Sequence, residues 1–130
     1  MPSSQLDWLR VALTSLSLGT SAVQEYGRAK VGSRSIVDPL DKMRQHLEEF
    51  VQSGRSDQTT GFLLESMAHV TRLSAESTAQ MVPRVGRASY VDASTIRSPD
   101  AGAMAVSFAM DAIYMAYTKL FLTNTTRSSP

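Results

Sequence analysis

Basic residues cluster in the segment from Gly27 to Ile36, which also contains Gly32. Arg28, Lys30 and Arg34 could neutralise a phosphate there, and glycine allows a backbone to approach a ligand more closely than other residues do. The segment can be interpreted as one wall of a phosphate- or nucleotide-binding site. It can also be interpreted as an ordinary solvated connection between helices. The residues alone favour this second interpretation.

Acidic and histidine side chains give no sign of a metal site or of catalytic chemistry. The acidic residues include two close pairs, Asp38/Asp41 and Glu48/Glu49. Each pair has a structural role available at a helix start or on a solvated face, and no acidic trio suited to magnesium is evident. The two histidines, His46 and His69, lack the spacing of a zinc motif. We therefore assign no catalytic residue and no metal ligand.

Composition describes a single globular domain without a strong charge bias. The chain has 130 residues, 42% of them hydrophobic, no cysteine and a formal net charge of +1. Near-neutral charge gives no general attraction to nucleic acid or to acidic membranes. We see no apolar leader and no membrane-spanning segment, and the lack of cysteine fits a reducing compartment. We therefore expect a cytoplasmic protein that binds neither membrane nor nucleic acid.

Apolar residues recur at helical spacing in four segments, which predicts four amphipathic helices. The first runs from Ser3 or Ser4 to about Gly27 and the second from Val37 to Ser53; the third begins at Thr59 or Thr60 and ends near Met81, and the fourth begins at Asp100. Their predicted apolar faces include Leu9, Leu13, Leu47, Phe50, Phe62, Leu63, Met67, Leu73, Met110, Ile113 and Leu120. With no convincing strand, the expected fold is an all-α antiparallel helical bundle.

Between the third and fourth helices lies a long segment, Val85 to Pro99, that has no helical pattern. Loops of this length in compact domains are usually functional or disordered. In an up-and-down bundle the second and fourth helices start at the same end. We therefore expect Gly27, Ile36, Arg87 and Asp100 to lie near one rim. The domain is predicted to span residues 1–122, followed by a polar, disordered tail over residues 123–130.

Three short motifs follow one another along the chain: Tyr26–Leu40, Thr78-x-x-Met81, and GRASY at Gly86–Tyr90 together with Asp100–Ala103. In this order they resemble the nucleotide-binding DhaL (DAK2) domain of dihydroxyacetone kinases. Tyr26–Leu40 is similar to that family's YGxAxPGDRTMLDAL, and Thr78-x-x-Met81 falls where the family has TxxM. Gly86–Tyr90 reads GRASY, and Asp100–Ala103 then resembles the family's DPGA. The resemblance extends from about Leu6 to Phe121 and corresponds to the second half of the family domain. It implies half of an eight-helix barrel.

For site residues, the resemblance implies that nucleotide contacts fall at Gly27, Ile36, Arg87, Asp100, Ala101 and Gly102. Ala101 replaces the family's proline and Ile36 its methionine, which retains an apolar wall. Ser33 and Ser35 replace the aspartate and threonine of the GDRT piece, so the hydrogen bonds of this segment should differ from those of the family.

For activity, the resemblance implies transfer of the γ-phosphoryl group of ATP to dihydroxyacetone or a related triose. The family holds magnesium through an aspartate-rich segment in the first half of its domain, and holds the triose on a separate DhaK-like domain; the sequence shows neither. We therefore expect weak or lost ATP binding, no magnesium ligands and no kinase activity by the isolated chain. Expected partners are an adenine nucleotide, the missing half or a DhaK-like domain, and a second copy of the chain. The alternative is a non-catalytic helical interaction or dimerisation module derived from the same fold.

Overall fold

A computed structural model describes residues 3–54, 59–81 and 98–122 of the chain. These ranges contain α1 (Ser3–Gly27), α2 (Val37–Ser53), α3 (Thr60–Ser77) and α4 (Ala101–Tyr117). A 3-10 turn, Thr78–Gln80, continues α3, and a π-helical turn, Thr118–Leu122, continues α4. Helix accounts for 85% of the described residues, which contain no strand. The predicted all-α class with four helices is confirmed.

The helices pack in an antiparallel order: α1 on α2, α2 on α3, and α3 on α4, with a further contact between α2 and α4. Near the start of α1, the Gln5 amide donates to Thr60 Oγ1 at the start of α3 over 2.9 Å. At the other end, Arg34 precedes α2 and contacts Ser98 and Asp100 just before α4. The predicted up-and-down arrangement, with α2 and α4 starting at one end, is therefore what the described helices adopt.

Helix boundaries follow local chemistry. Gly54 ends α2 in the left-handed conformation, with φ 61°, where glycine pays no side-chain penalty. Thr59 caps α3 by accepting the amide of Phe62 at 3.2 Å. The α-helical part of α3 ends at Ser77, earlier than the predicted Met81. The backbone tightens into the 3-10 turn there, and the Thr78 hydroxyl donates to the Ala75 carbonyl at 2.6 Å.

The core lies between α2, α3 and α4, with α1 covering one side. Its buried members are Leu47, Phe50, Leu63, Met67, Ala68 and Met110, and Leu9, Leu13 and Leu16 of α1 pack against them. The prediction of the apolar faces is wrong in part. Four of the residues assigned to them have side chains that are about half exposed: Phe62 (49%), Leu73 (53%), Ile113 (52%) and Leu120 (59%). Helical spacing identifies an apolar side chain but does not show whether another helix covers it. None of the described helices combines the length and apolar character that crossing a bilayer requires.

Candidate functional site

The segment between α1 and α2 is organised by the buried carboxylate of Asp38. Its Oδ1 accepts the Gly32 amide at 2.6 Å, and its Oδ2 accepts the Ser35 amide at 3.0 Å. Gly32 has φ +87°, and Arg34 has φ 59°, a left-handed conformation that is uncommon outside glycine. Because Asp38 ties two backbone amides to the first turn of α2, the segment has a defined shape rather than that of a loose solvated connection.

Arg34 leaves this segment and enters the interior, where only 6% of its side chain remains exposed. Its Nη2 donates to the carbonyl oxygen of Ser98, and its Nη1 lies 3.8 Å from Oδ1 of Asp100. The interpretation of Arg34 as a side chain free to bind phosphate is therefore wrong. Arg34 is engaged with the chain that leads into α4.

Asp100 is the N-cap of α4 and is itself held from two sides. Its Oδ2 accepts the Ala103 amide at 3.0 Å, and its own amide donates to Thr78 Oγ1 at 2.8 Å. The Thr78 hydroxyl in turn donates to Ala75, so one hydroxyl links the end of α3 to the start of α4. We call Arg34, Thr78 and Asp100 the polar junction; it joins one residue from each of the three sequence motifs.

Gly102 allows the first turn of α4 to approach the α1–α2 segment closely. A Cβ atom added there would lie 2.5 Å from Cγ2 of Ile36 and 3.2 Å from Oδ2 of Asp100. Real Cβ atoms do not approach other atoms as closely as 2.5 Å. Glycine is therefore required by the packing of Ile36 against α4, and Ile36 and Gly102 form an apolar contact beside the polar junction.

The structure brings together some of the predicted site residues. Ile36, Asp100 and Gly102 meet at the end of the bundle where α2 and α4 begin, and Ala101 is the exposed first residue of α4. Gly27 is the exposed last residue of α1, with nothing within 4 Å of an added Cβ. Arg87 lies outside the described residues, so its predicted place at this rim stays a prediction.

Three residues position this site in roles that the sequence did not predict: Arg34, Asp38 and Thr78. Each stands inside or beside one of the motifs, which was the available signal. Their roles depend on burial and on partners far along the chain, such as Ser98 for Arg34, and neither is visible in local spacing. The carboxylate of Asp100, predicted as a nucleotide contact, has internal partners on both oxygens and so also positions its neighbours.

A cleft of about 390 Å³ opens beside the α1–α2 segment, between α2 and α3. Val31, Leu73 and Met81 supply apolar walls, and Asp38 and Lys42 supply polar ones. Asp41 also lines this cleft and accepts hydrogen bonds from the guanidinium of Arg44. These bonds raise the pKa of Arg44 above its ordinary value, although burial acts to lower it. Such a mixed lining is typical of small-molecule sites.

Metal-binding groups are not assembled in the part of the chain that the structure describes: it contains no cluster of three or more His, Cys, Asp or Glu side chains. His46 is hydrogen-bonded to Ser66 Oγ at 2.8 Å, and His69 is exposed on α3. Neither histidine points to a metal ligand set.

Sequence comparison decides the family. The profile of the DAK2 domain matches residues 8–115, most of the chain. The chain belongs to the DAK2 (DhaL) domain family of dihydroxyacetone kinases. All three motifs lie within the matched region.

Curated relatives of this DAK2 domain chain are kinases or kinase subunits. The L-erythrulose kinase of Pectobacterium atrosepticum is 30% identical over 92 residues, 71% of this chain and 15% of that protein. The human triokinase/FMN cyclase is 31% identical over 101 residues, 75% of this chain and 16% of that protein. The DhaL subunit of Escherichia coli, described as the ADP-binding subunit of a PEP-dependent dihydroxyacetone kinase, is 30% identical over 75% of this chain and 45% of its own length. The chain therefore spans a small part of the large kinases and under half of that subunit.

Proposed function

We propose that this chain is an adenine-nucleotide-binding half domain of a dihydroxyacetone kinase-like phosphotransferase, and that it is inactive as a kinase when isolated. The observation that carries the proposal is the meeting of Ile36 and Gly102 beside the polar junction. Three separated motifs converge there on one end of the bundle, and the family to which they belong includes a subunit described as ADP-binding.

In this proposal the nucleotide lies across the start of α4 and the α1–α2 segment. Ile36, which packs against Gly102, gives the base an apolar wall, and Gly27 leaves room for close backbone approach. Ala101 exposes the first turn of α4, whose amides and dipole favour negative charge. Arg87, which lies outside the described residues, is the further proposed contact. Arg34, Thr78 and Asp100 hold these walls in place without having to touch the ligand.

Magnesium does not fit the described residues, because they provide no cluster of carboxylates to hold it. In phosphoryl transfer a magnesium ion would both neutralise phosphate charge and orient the phosphates, and basic side chains alone do not supply both. No phosphoryl-transfer step is therefore assigned to this chain. Kinase activity would need the missing half of the domain and a DhaK-like partner that binds the triose.

Isothermal titration calorimetry with ATP and ADP, each with and without magnesium, tests the proposal. We expect similar affinities for both nucleotides, around millimolar or roughly 4 kcal/mol, that do not depend on magnesium. Gly102→Ala should reduce the affinity at least fivefold because the new Cβ displaces Ile36. Gly19→Ala is the matched control, since nothing lies within 4 Å of its added Cβ.

Two results would contradict the proposal. Magnesium-enhanced micromolar binding of ATP would mean that the chain carries the metal site assigned to the missing half. Equal affinities of the Gly102→Ala and Gly19→Ala variants would mean that the nucleotide does not use the Ile36–Gly102 contact.

A second candidate function is a non-catalytic interaction or dimerisation module. It is favoured by the exposed large apolar side chains on both α1 and α4, which include Trp8 at 74% and Phe108 at 62%. Large exposed apolar surfaces mark sites of protein association. Sedimentation velocity over a concentration series, without nucleotide, tests this function separately from nucleotide binding. A chain that stays monomeric throughout would count against self-association as its role.

A further inference from the structure

The outer face of α4 is apolar and uncovered by any described element. We define this outer face by its exposed residues: Ala105, Phe108, Ala109, Ala112, Ile113, Met115 and Ala116. Phe108, Ile113 and Met115 are exposed by 62%, 52% and 66%. In a soluble monomer, single exposed apolar residues are ordinary, but a continuous apolar helix face indicates a surface that associates.

The same face carries no charge. Between Ala101 and Ala116 the sequence has one charged residue, Asp111, and it pairs with Arg72 of α3 over 2.8 Å. Two copies of the outer face could therefore meet without placing like charges opposite one another. Surface helices of monomeric proteins ordinarily carry charged and polar residues on the face opposite the core, and α4 departs from that pattern.

Large and small residues alternate on the outer face in a way that suits an antiparallel pair of α4 helices. A two-fold axis through Ala112 places Phe108 opposite Ala116 of the partner copy, and Met115 opposite Ala109. Phe108 and Met115 then each meet an alanine, Ala112 meets its own copy, and Ile113 lies level with Asp111 at the edge of the contact. A parallel pair would instead set Phe108 against Phe108 and leave alanine against alanine, which packs poorly.

We propose that the outer face of α4 binds a second copy of this chain through an isologous antiparallel contact centred on Ala112. A two-fold contact of this kind is self-complementary and closes at a dimer. The inference deepens the dimerisation alternative above and is independent of nucleotide binding. One helix face buries less than the roughly 800 Å² per partner of standard stable interfaces, so we expect a weak dimer whose formation depends on protein concentration.

A charge-swap experiment tests both the face and its symmetry. The full chain is studied by sedimentation velocity from about 1 to 200 μM, a range that detects weak association. Ala112→Glu and Ala112→Lys each place like charges at the axis, so each variant alone should dimerise at least tenfold more weakly than the unaltered chain. An equal mixture of the two should regain dimer, because glutamate then faces lysine. Ala12→Glu, at an exposed position of α1, is the matched control and should dimerise normally.

Circular dichroism should show that each variant keeps its helices, because Ala112 is exposed. A second measurement uses the absence of cysteine from the chain. Ala112→Cys should form a disulfide-linked dimer on mild oxidation far faster than Ala12→Cys, because only the axis brings two copies of one residue together.

The outcomes separate this proposal from the wider dimerisation function. An unaltered chain that is monomeric at 200 μM overturns both. A chain that dimerises but is unaffected by Ala112→Glu keeps the wider function and overturns the α4 contact. Weaker dimers of both charge variants with no recovery on mixing, and no faster cross-linking at position 112, show that the face binds in another geometry or binds a different partner, and overturn the isologous contact.

Discussion

The first turn of α4 and the outer face of the same helix are stabilised in opposite ways. At the first turn, Asp100 and the residues around it are bound by partners far along the chain: Thr78 lies 22 positions away, and Arg34 bonds to Ser98 across 64 positions. On the outer face, Phe108 and Met115 stay largely exposed. One helix is thus fixed closely at its start and left uncovered along its side.

This difference teaches what each region requires. Buried polar groups are costly unless paired, so the bonds of the polar junction favour one arrangement of the segments around Ile36 and Gly102. The outer face has no such directional constraint and gains stability from any complementary apolar surface. We propose ligand positioning for the first region and association for the second.

Of the substitutions that test this comparison, replacing Arg34 should change the free energy of unfolding most, because it removes the buried cation of the polar junction. Arg34→Met should lower the free energy of unfolding by about 2–3 kcal/mol, since the Ser98 carbonyl and Asp100 lose their partner. Urea denaturation followed by circular dichroism measures this. Arg28→Met is the matched control, because Arg28 is exposed, lies in the same segment and also has positive φ at 53°. We expect the control to change stability by no more than about 0.5 kcal/mol.

Equal losses for the two arginine variants would break the comparison. They would mean that Arg34 contributes only through its local backbone conformation, which both residues share.

Replacing Thr78 should have a smaller effect and sharpens the comparison within the junction. Thr78→Val keeps the side-chain shape but removes the acceptor for the Asp100 amide, at a cost of about 1–2 kcal/mol. Thr118→Val is the control: the Thr118 hydroxyl donates to the Met115 carbonyl three residues back, as Thr78 does to Ala75, and that bond is exposed. Its loss should cost at most about 0.5 kcal/mol.

The same urea titrations report both threonine variants. If Thr78→Val cost no more than Thr118→Val, the long-range bond to Asp100 would add nothing, and the start of α4 would be held no more firmly than its end.

Much of the fold could be predicted from sequence because helix starts and stops are local. The Val37 start of α2, the Gly54 stop and the Thr59 and Asp100 caps all depend on neighbours within a few residues. The length of α3 and the exposure of Phe62 could not. These depend on the tightening at Thr78 and on which faces the other helices cover.

The candidate site was predictable in its location but not in its roles. Motif order and bundle topology placed Ile36 and Asp100 at one end, and the structure confirms that meeting. The burial of Arg34 and the pairing of Asp100 with Thr78 arise only after folding, because chain segments far apart in sequence supply the partners. The basic residues of the segment that contains Gly32 therefore suggested a phosphate contact at Arg34. In the structure Arg34 instead contacts Ser98 and Asp100.

We propose that nucleotide binds at the end of the bundle where α2 and α4 begin. Two-dimensional ¹⁵N–¹H NMR during titration with ATP tests it most directly. The amides of Ile36, Ala101 and Gly102 should shift progressively with a common affinity, while those of Thr60 and Tyr117 at the opposite end should stay in place. Shifts concentrated at Thr60 and Tyr117, or no shifts near Ile36 and Ala101 at ATP concentrations that saturate the calorimetric signal, would contradict the account.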